Sequence, residues 1–306
     1  MASYVFLMQF WNETKSLTEA DLHRMVQISE IGGALTIIAC VMSFSLLCLL
    51  PIRSDGLFIT GNQCLVLMAA QLSFIGSENT GYPNPVMCDI AAGLIQYFFL
   101  CLHFSSLAFA VHLGSKFGPM SLTAFRRRGF YLTCIWLLPF IVVMVTAIPR
   151  QNFVGPGTRC WLSYENNKRL FFLVPLGLLI LANICMYVLI IRYTAYAGQK
   201  KALKKKTIVR HMVQTSLSLI PALGLHWALG FSITFDGPVF LQYLFVVLAS
   251  AHGMLLLIFH VLTSGQVQKS LCEKIAVNVS DASSAFVTEP VTVDSNLEMP
   301  MEVKQE

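Results

Sequence analysis

The amino-acid sequence predicts an all-α membrane protein, a bundle of seven transmembrane helices with the N-terminus outside the cell. Three observations predict this fold: an apolar composition, seven long apolar runs, and basic residues concentrated in alternate connections. The 306 residues are 56% hydrophobic and 12% charged, with a mean hydropathy of +0.66. This composition excludes a water-soluble enzyme and a largely disordered chain, because both carry far fewer apolar residues.

The seven apolar runs justify the number of helices. Each is close to the ~20 residues that cross ~30 Å of hydrocarbon at ~1.5 Å per residue, and each is nearly free of Asp, Glu, Lys and Arg. Because lipid offers no hydrogen-bond partner to the backbone, each run is predicted to be a helix. They cover residues 29–50, 57–76, 88–113, 129–148, 170–194, 211–231 and 239–263.

The distribution of basic residues predicts the orientation. Fifteen of the 21 Lys and Arg residues fall in connections on one side of the predicted bundle, and six fall on the other. The basic side of a membrane protein faces the cytoplasm, so we expect an extracellular N-terminus and a cytoplasmic C-terminus in the plasma membrane. The net charge of +5 is then a topology signal, and we expect no nucleic-acid partner.

Three regions follow from these spans. Residues 1–28 are predicted to be an extracellular segment and stalk, residues 29–264 the seven-helix domain, and residues 265–306 a disordered cytoplasmic tail. The tail prediction rests on the Ser, Thr and acidic residues that dominate from residue 278 onwards. No cleavable signal peptide is recognisable, so either the first helix is a signal anchor or the chain is a fragment of a longer protein.

Two cysteines and one asparagine predict covalent features of the outer surface. Cys88, at the outer start of helix three, and Cys160, in the loop before helix five, would both face the oxidising compartment. We expect a disulfide between them, and the alternative is two reduced thiols. Asn12 begins an Asn-Glu-Thr sequon on the same side and is a predicted glycosylation site, whereas the sequon at Asn278 is predicted to be cytoplasmic and unmodified.

Histidines in the predicted spans raise the question of a metal-dependent membrane hydrolase. Ligands on one helix favour spacings of three or four residues, but the paired histidines are nine and eight residues apart, and no carboxylate lies in the middle of a helix. We therefore expect neutral, hydrogen-bonded histidines between helices, no metal, no cofactor and no enzymatic activity. The histidines concerned are His103, His112, His226, His252 and His260.

Five motifs in order along the chain resemble those of the adhesion G-protein-coupled receptors. They are QYFFL at 96–100, Trp136 with Pro139, the dipeptide Cys160-Trp161, SLIPALGLHWALGF at 218–231 and YLFVVLASAHGMLLLIFH at 243–260. The resemblance extends over about 260 positions. It implies a seven-helix receptor that transmits an extracellular signal to a heterotrimeric G protein.

The resemblance also implies an agonist within the chain. In this family a large extracellular region cleaves itself just before a Thr, and the new N-terminal end of the membrane-spanning part, similar to TNFAVLM, acts as a tethered agonist. Residues 2–8 here, ASYVFLM, are similar, with Ala2 where the family has Thr. The expected agonist residues are Tyr4, Phe6, Leu7 and Met8; the alternative is an aromatic segment that merely lies at the membrane interface. The expected pocket and switch residues are Phe98, Phe99, Trp161, Pro221, Gly224, Trp227, Gly230, His252 and Gly253.

The inner surface is the expected seat of the G protein. The basic residues expected there are Arg126, Arg127, Arg128, Lys204, Lys205, Lys206 and Arg210. Their charge suits topology and anionic membrane lipid equally well. Arrestin at the tail is a further expected partner.

Several positions depart from the family pattern. Ser105, Ser106 and Phe109 stand where the family usually has Trp, Met and Glu, and Ala249 and His252 stand where it usually has Asn and Gln. These changes remove polar partners expected in the inactive state. The alternative function is therefore a seven-helix anchor for an extracellular adhesion region, without G-protein signalling.

Overall fold

The first three spans are three long helices, each packed on the next. A computed structural model of the chain describes residues 19–51, 54–79, 85–117, 128–147, 170–200, 220, 224, 226–229 and 238–287. All regular secondary structure in these stretches is helical. The three helices are α1 (Glu19–Leu49), α2 (Asp55–Asn79) and α3 (Pro85–Phe117). Each covers its predicted span to within one residue and extends beyond it, since hydropathy locates the apolar part of a helix and not its ends.

The fourth predicted span is a helix with a wide turn inside it. It consists of α4 (Arg128–Leu132), a π-helical turn (Thr133–Leu137) and α5 (Leu138–Ala147). Pro139, the second residue after the π-helical turn, has no N–H to donate to the carbonyl one α-helical turn earlier. That carbonyl lies within the π-helical turn. The fifth span is α6 (Leu170–Lys200), which continues through Pro175.

The seventh predicted span is bent. It consists of α7 (Val239–Ser250), α8 (His252–Leu256) and a π-helical turn (Leu257–Leu262), and the two parts are inclined by 55°. Five helices in the described residues are long and apolar enough to cross a membrane, and the bent pair makes a sixth. Most of the predicted run 211–231 lies outside the described residues.

Helix α3 lies at the centre of the described bundle. It packs against α2 and α6 and against the fourth span, while α1 packs on α2, α7 and α8. Ile95, Leu100 and Ala110 of α3 are fully buried. On the outside, large apolar side chains such as Leu49, Leu178 and Phe240 are between 63% and 71% exposed, a surface suited to lipid.

The chain after the seventh span differs from the prediction of a disordered tail. Residues Gly265–Val287 form a helix, α9. Val267 in its first turn is buried against α1 and α2 residues, and the Lys274 amine donates to the Leu49 carbonyl at the end of α1, at 2.8 Å. These contacts hold the first part of α9 against the bundle, and the polar composition that predicted disorder begins only at residue 278. Residues 288–306 lie outside the described residues.

Helix α1 begins at Glu19, within the segment predicted to precede the seven-helix domain, and the boundary at residue 28 stays a prediction. Its first turns are polar and extend the helix beyond the apolar run. Residues 1–18 lie outside the described residues.

Candidate functional site

An aromatic cluster around Trp227 occupies the core of the bundle. Trp227 is 1% exposed, and the rings of Phe99 and Phe245 are also buried. The Trp227 ring meets Phe99 of α3 edge-to-face at 4.9 Å between centroids and Phe245 of α7 at 5.3 Å. Phe99 in turn meets Phe172 of α6 at 6.4 Å. The Trp227 indole therefore contacts the third and seventh spans directly and the fifth span through Phe99. Each edge-to-face contact adds about 0.5–1.5 kcal/mol of stability beyond that from the burial of the rings.

The backbone before Trp227 leaves the helical conformation. Gly224 has a φ of +61°, in the left-handed region where residues with a Cβ are strained. The Trp227 N–H donates to the Gly224 carbonyl at 3.0 Å, which closes a tight four-residue turn. A Cβ at Gly224 would lie 3.3 Å from the Trp227 ring and 3.7 Å from Ser106 Oγ. Gly224 itself is therefore not in the right-handed helical conformation, at a position where the sequence suggested a weak point.

Two histidines contact the same indole, and a third contacts one of them. The rings of His103 and His226 each lie 5.6 Å from Trp227, and His226 meets His252 at 4.7 Å. All three are buried. His103 Nδ1 hydrogen-bonds the Phe99 carbonyl of its own helix at 2.9 Å, whereas neither ring nitrogen of His226 has a partner among the described residues. The expected hydrogen bond between a histidine and a neighbouring helix is found at a fourth histidine.

That histidine is His112, whose Nδ1 lies 3.1 Å from the Tyr131 hydroxyl of α4. This contact joins the end of α3 to the start of the fourth span.

No group of three or more His, Cys, Asp or Glu side chains arranged to hold a metal ion occurs among the described residues.

The positions that depart from the family pattern form contacts of their own. The Gln63 amide of α2 donates to Ser106 Oγ at 3.0 Å, and Ser106 Oγ donates to the Leu102 carbonyl. Phe109 meets His260 edge-to-face at 4.9 Å. Serine and phenylalanine at these positions therefore keep α3 in contact with α2 and with the seventh span.

The described residues bring together only part of the predicted site. Phe99, Gly224, Trp227 and His252 belong to the cluster. Phe98 contacts Tyr97 and is not linked to Trp227 by any described ring contact. Gly253 lies instead against α1, where its N–H donates to Thr36 Oγ1 at 3.3 Å.

Other predicted residues lie outside the described part of the chain. They are Tyr4, Phe6, Leu7, Met8, Asn12, Arg126, Arg127, Cys160, Trp161, Lys204, Lys205, Lys206, Arg210, Pro221 and Gly230.

Cys88 is disulfide-bonded, and seven other cysteines are free thiols. The pairing of Cys88 with Cys160 stays a prediction.

Arg128 is described and begins α4. Its Nε donates to Asp55 Oδ1 at 3.1 Å, and its guanidinium carbon lies 5.2 Å above the Phe58 ring. We call this end of the bundle, where α1, α3 and α6 end and α2 and α4 begin, the basic end. Arg128 there is already paired with a carboxylate.

Comparison with known proteins decides the family. The model of the seven-transmembrane receptors of the secretin family matches residues 22–256. The chain belongs to the secretin family of seven-transmembrane receptors. The match runs from α1 into α8, so it includes the Trp227 cluster and ends before α9.

Adhesion receptors are among the relatives of this receptor. It is 30% identical to human adhesion G protein-coupled receptor L4 over 257 residues, which cover 81% of this chain and 36% of the relative. It is 24% identical to bovine adhesion G-protein coupled receptor D1 over 88% of this chain and 30% of the relative. Latrophilin-like protein 1 of Caenorhabditis elegans is 26% identical over 83% of this chain and 26% of the relative.

The chain spans little more than a third of the first of these relatives and less of the other two. The prediction of an adhesion-type, seven-helix membrane receptor is confirmed by the family match and by the relatives. The family consists of receptors, in agreement with the expectation that the chain has a receptor role.

Several contacts of the site were not predicted from the sequence. His103 and His226 were predicted to be neutral histidines between helices but not to lie next to Trp227, and Thr36 and Gln63 were not noted at all. The signal for His103 and His226 was available, because each lies within four residues of a predicted pocket residue on its own span. Nothing in the sequence indicated that Thr36 contacts residue 253.

Proposed function

We propose that this receptor is activated by its own N-terminal segment and transmits the signal to a heterotrimeric G protein. The observation that carries the proposal is the Trp227 cluster, in which one buried indole next to a left-handed glycine contacts side chains of two other spans. A ligand that displaced this ring would disturb the third, sixth and seventh spans together. Tightly packed helix contacts change between discrete arrangements, so a small shift of the Trp227 ring would be amplified into a larger movement of the helices.

The N-terminal residues supply a suitable ligand. Tyr4, Phe6, Leu7 and Met8 form an apolar stretch that is costly to leave in water. A tether raises the effective concentration of a ligand to about the millimolar range, so modest affinity is enough for occupancy. We propose that this segment enters the bundle from the end opposite the basic end and acts on Trp227.

A cellular experiment tests this proposal. G-protein signalling of the full chain is compared with that of a chain lacking residues 2–8 and of the double variant Phe6→Ala, Leu7→Ala, at matched surface expression. Both changes are expected to abolish most of the signal, and a synthetic peptide with the sequence of residues 2–8 is expected to restore it in part.

The matched control is the double variant Phe10→Ala, Trp11→Ala, which removes a similar apolar area just after the proposed agonist. If the N-terminus only anchors at the membrane interface, the two double variants should behave alike. Equal signalling by the deleted and the full chain would remove the tethered-agonist proposal.

The second candidate is a seven-helix anchor that does not signal. It is favoured by Phe109, which stands where the family usually has a glutamate and packs on His260 through ring edges. This candidate predicts no nucleotide exchange on any purified G protein in the presence of the receptor. Exchange on one of them would exclude it, whatever the source of the agonist.

A further inference from the structure

The ion pair at the basic end is open to water. Arg128 of α4 donates from Nε to Asp55 Oδ1 of α2 at 3.1 Å, and the two side chains are 48% and 32% exposed. Ion pairs of this kind are weak, because water competes for both partners. The pair therefore opens readily, and another carboxylate can take the place of Asp55.

The Arg128 guanidinium is also held by a contact that does not involve Asp55. Its central carbon lies 5.2 Å from the centroid of the Phe58 ring, one turn further along α2, and a cation is attracted to an aromatic face. Its hydrogen bond to Asp55 uses Nε alone, so the terminal NH₂ groups keep donors that suit a planar carboxylate. The cation stays in position whichever carboxylate it binds.

The fourth span is anchored independently of this pair. Tyr131 is fully buried, and its hydroxyl lies 3.1 Å from His112 Nδ1 of α3. Trp136 Nε1 donates to Asn62 Oδ1 of α2 at 3.1 Å. The span therefore remains attached to α2 and α3 when Arg128 leaves Asp55.

The charge at this end attracts an acidic partner. Fifteen of the 21 Lys and Arg residues fall in connections on this side of the bundle, and Arg126 and Arg127 directly precede Arg128 in the chain. A basic surface of this kind raises the local concentration of anions. The proposed function brings a G protein to the same end, so its acidic side chains are the partner that we consider. An anionic lipid headgroup is the competing explanation, which the test must separate.

We propose that Arg128 binds a carboxylate of the G protein and that Asp55 competes for Arg128 within the receptor. This proposal rests on the proposed function and adds an internal restraint to it. While the pair is formed, the G protein must displace Asp55, so its apparent affinity is reduced by the fraction of receptor in which Arg128 is free. Because the pair is exposed, the reduction is at most about fivefold.

The test measures nucleotide exchange on a purified G protein at increasing concentration, with the full chain in phosphatidylcholine vesicles. Asp55→Asn is expected to lower the half-saturating concentration of G protein about two- to fivefold. Arg128→Gln is expected to raise it, and the double variant should behave like Arg128→Gln alone. A merely structural pair would give a different result, because loss of either partner breaks the same contact and should shift the concentration in the same direction.

Glu273→Gln is the matched control. It makes the same carboxylate-to-amide change in another exposed ion pair, that of Lys269 with Glu273 on α9, and should leave the half-saturating concentration unchanged. Shifts in the same direction for Asp55→Asn and Arg128→Gln, or no shift for Asp55→Asn, would overturn the proposal. If the unchanged chain stimulates no exchange at any concentration, the proposed function fails and this proposal fails with it.

A second set of vesicles separates a G protein from an anionic lipid. Phosphatidylcholine has no net charge, so an effect of Asp55→Asn in these vesicles does not need an anionic headgroup. The measurement is repeated with phosphatidylserine added. If Asp55→Asn lowers the half-saturating concentration only when phosphatidylserine is present, Arg128 binds a lipid headgroup and the proposal is wrong.

Discussion

At the scale of single residues, Gly253 lies directly against the backbone of α1. A Cβ at this position would lie 2.7 Å from the Thr36 carbonyl oxygen and 2.8 Å from Thr36 Cγ2. These distances are shorter than real Cβ contacts, and one of the atoms belongs to the backbone of α1. Only glycine therefore allows α1 and α8 to pack this closely.

Gly253→Ala is expected to lower the stability of the receptor by about 1–3 kcal/mol, the usual cost of overpacking. Gly93→Ala is the matched control, because a Cβ there meets nothing within 4 Å and alanine favours a helix. Thermal unfolding of the purified chain can be followed with a thiol-reactive dye, since Cys40, Cys64 and Cys101 are free and buried. If the two variants melt together, the close approach is not as tight as described.

Residue-level predictions from the sequence concentrated on positions where the residue type is unusual for an apolar span. Trp227 and Gly224 stood out because a tryptophan between glycines and after a proline is rare in an apolar span. Thr36 could not be identified in this way, since its partners Ser250 and Gly253 are more than 200 positions away. The hydroxyl of a buried threonine also commonly donates a hydrogen bond to a backbone carbonyl of its own helix, as that of Thr60 does.

At the scale of whole helices, the sequence predicted each described span but not its shape. A hydropathy pattern records which residues avoid water, so it located the apolar runs inside α1, α2, α3 and α6 but not the turns by which these helices extend beyond the runs. It contains no information on the π-helical turns or on the 55° bend in the seventh span. It also failed for α9, whose order depends on contacts with α1.

The bend in the seventh span depends on a side chain from α1. Thr36 Oγ1 donates to the Ser250 carbonyl and accepts from the Gly253 N–H, so it serves backbone groups on both sides of the bend. Thr36→Val keeps the shape and removes the hydroxyl. Hydrogen bonds between membrane helices are worth about 0.6–1.7 kcal/mol, and a hydroxyl that makes two should lie near the upper value.

We therefore expect Thr36→Val to lower the melting temperature of the purified receptor clearly. Thr60→Val is the matched control, because the Thr60 hydroxyl donates to the Gly56 carbonyl in its own helix and its loss should cost less. An equal shift in both variants would show that the bend does not need the Thr36 hydroxyl.

At the scale of the whole molecule, the described contacts tie the basic end together. Arg128 pairs with Asp55, His112 meets Tyr131, and Lys274 donates to the end of α1. These contacts join α1, α2, α3, α4 and α9 at one end of the bundle. The concentration of Lys and Arg in the connections at this end predicts that it faces the cytoplasm, and the other end then carries the N-terminus outside the cell.

This orientation predicts opposite fates for two sequons in the same chain. Asn12 would lie in the extracellular compartment, where glycan is added, whereas Asn278 on α9 would lie in the cytoplasm. Removal of N-glycans from receptor expressed in mammalian cells should shift its electrophoretic mobility, and Asn12→Gln should abolish that shift. Asn278→Gln should leave the shift unchanged and serves as the control. If Asn278→Gln abolished the shift and Asn12→Gln did not, the bundle would have the opposite orientation, and an extracellular tethered agonist would be excluded with it.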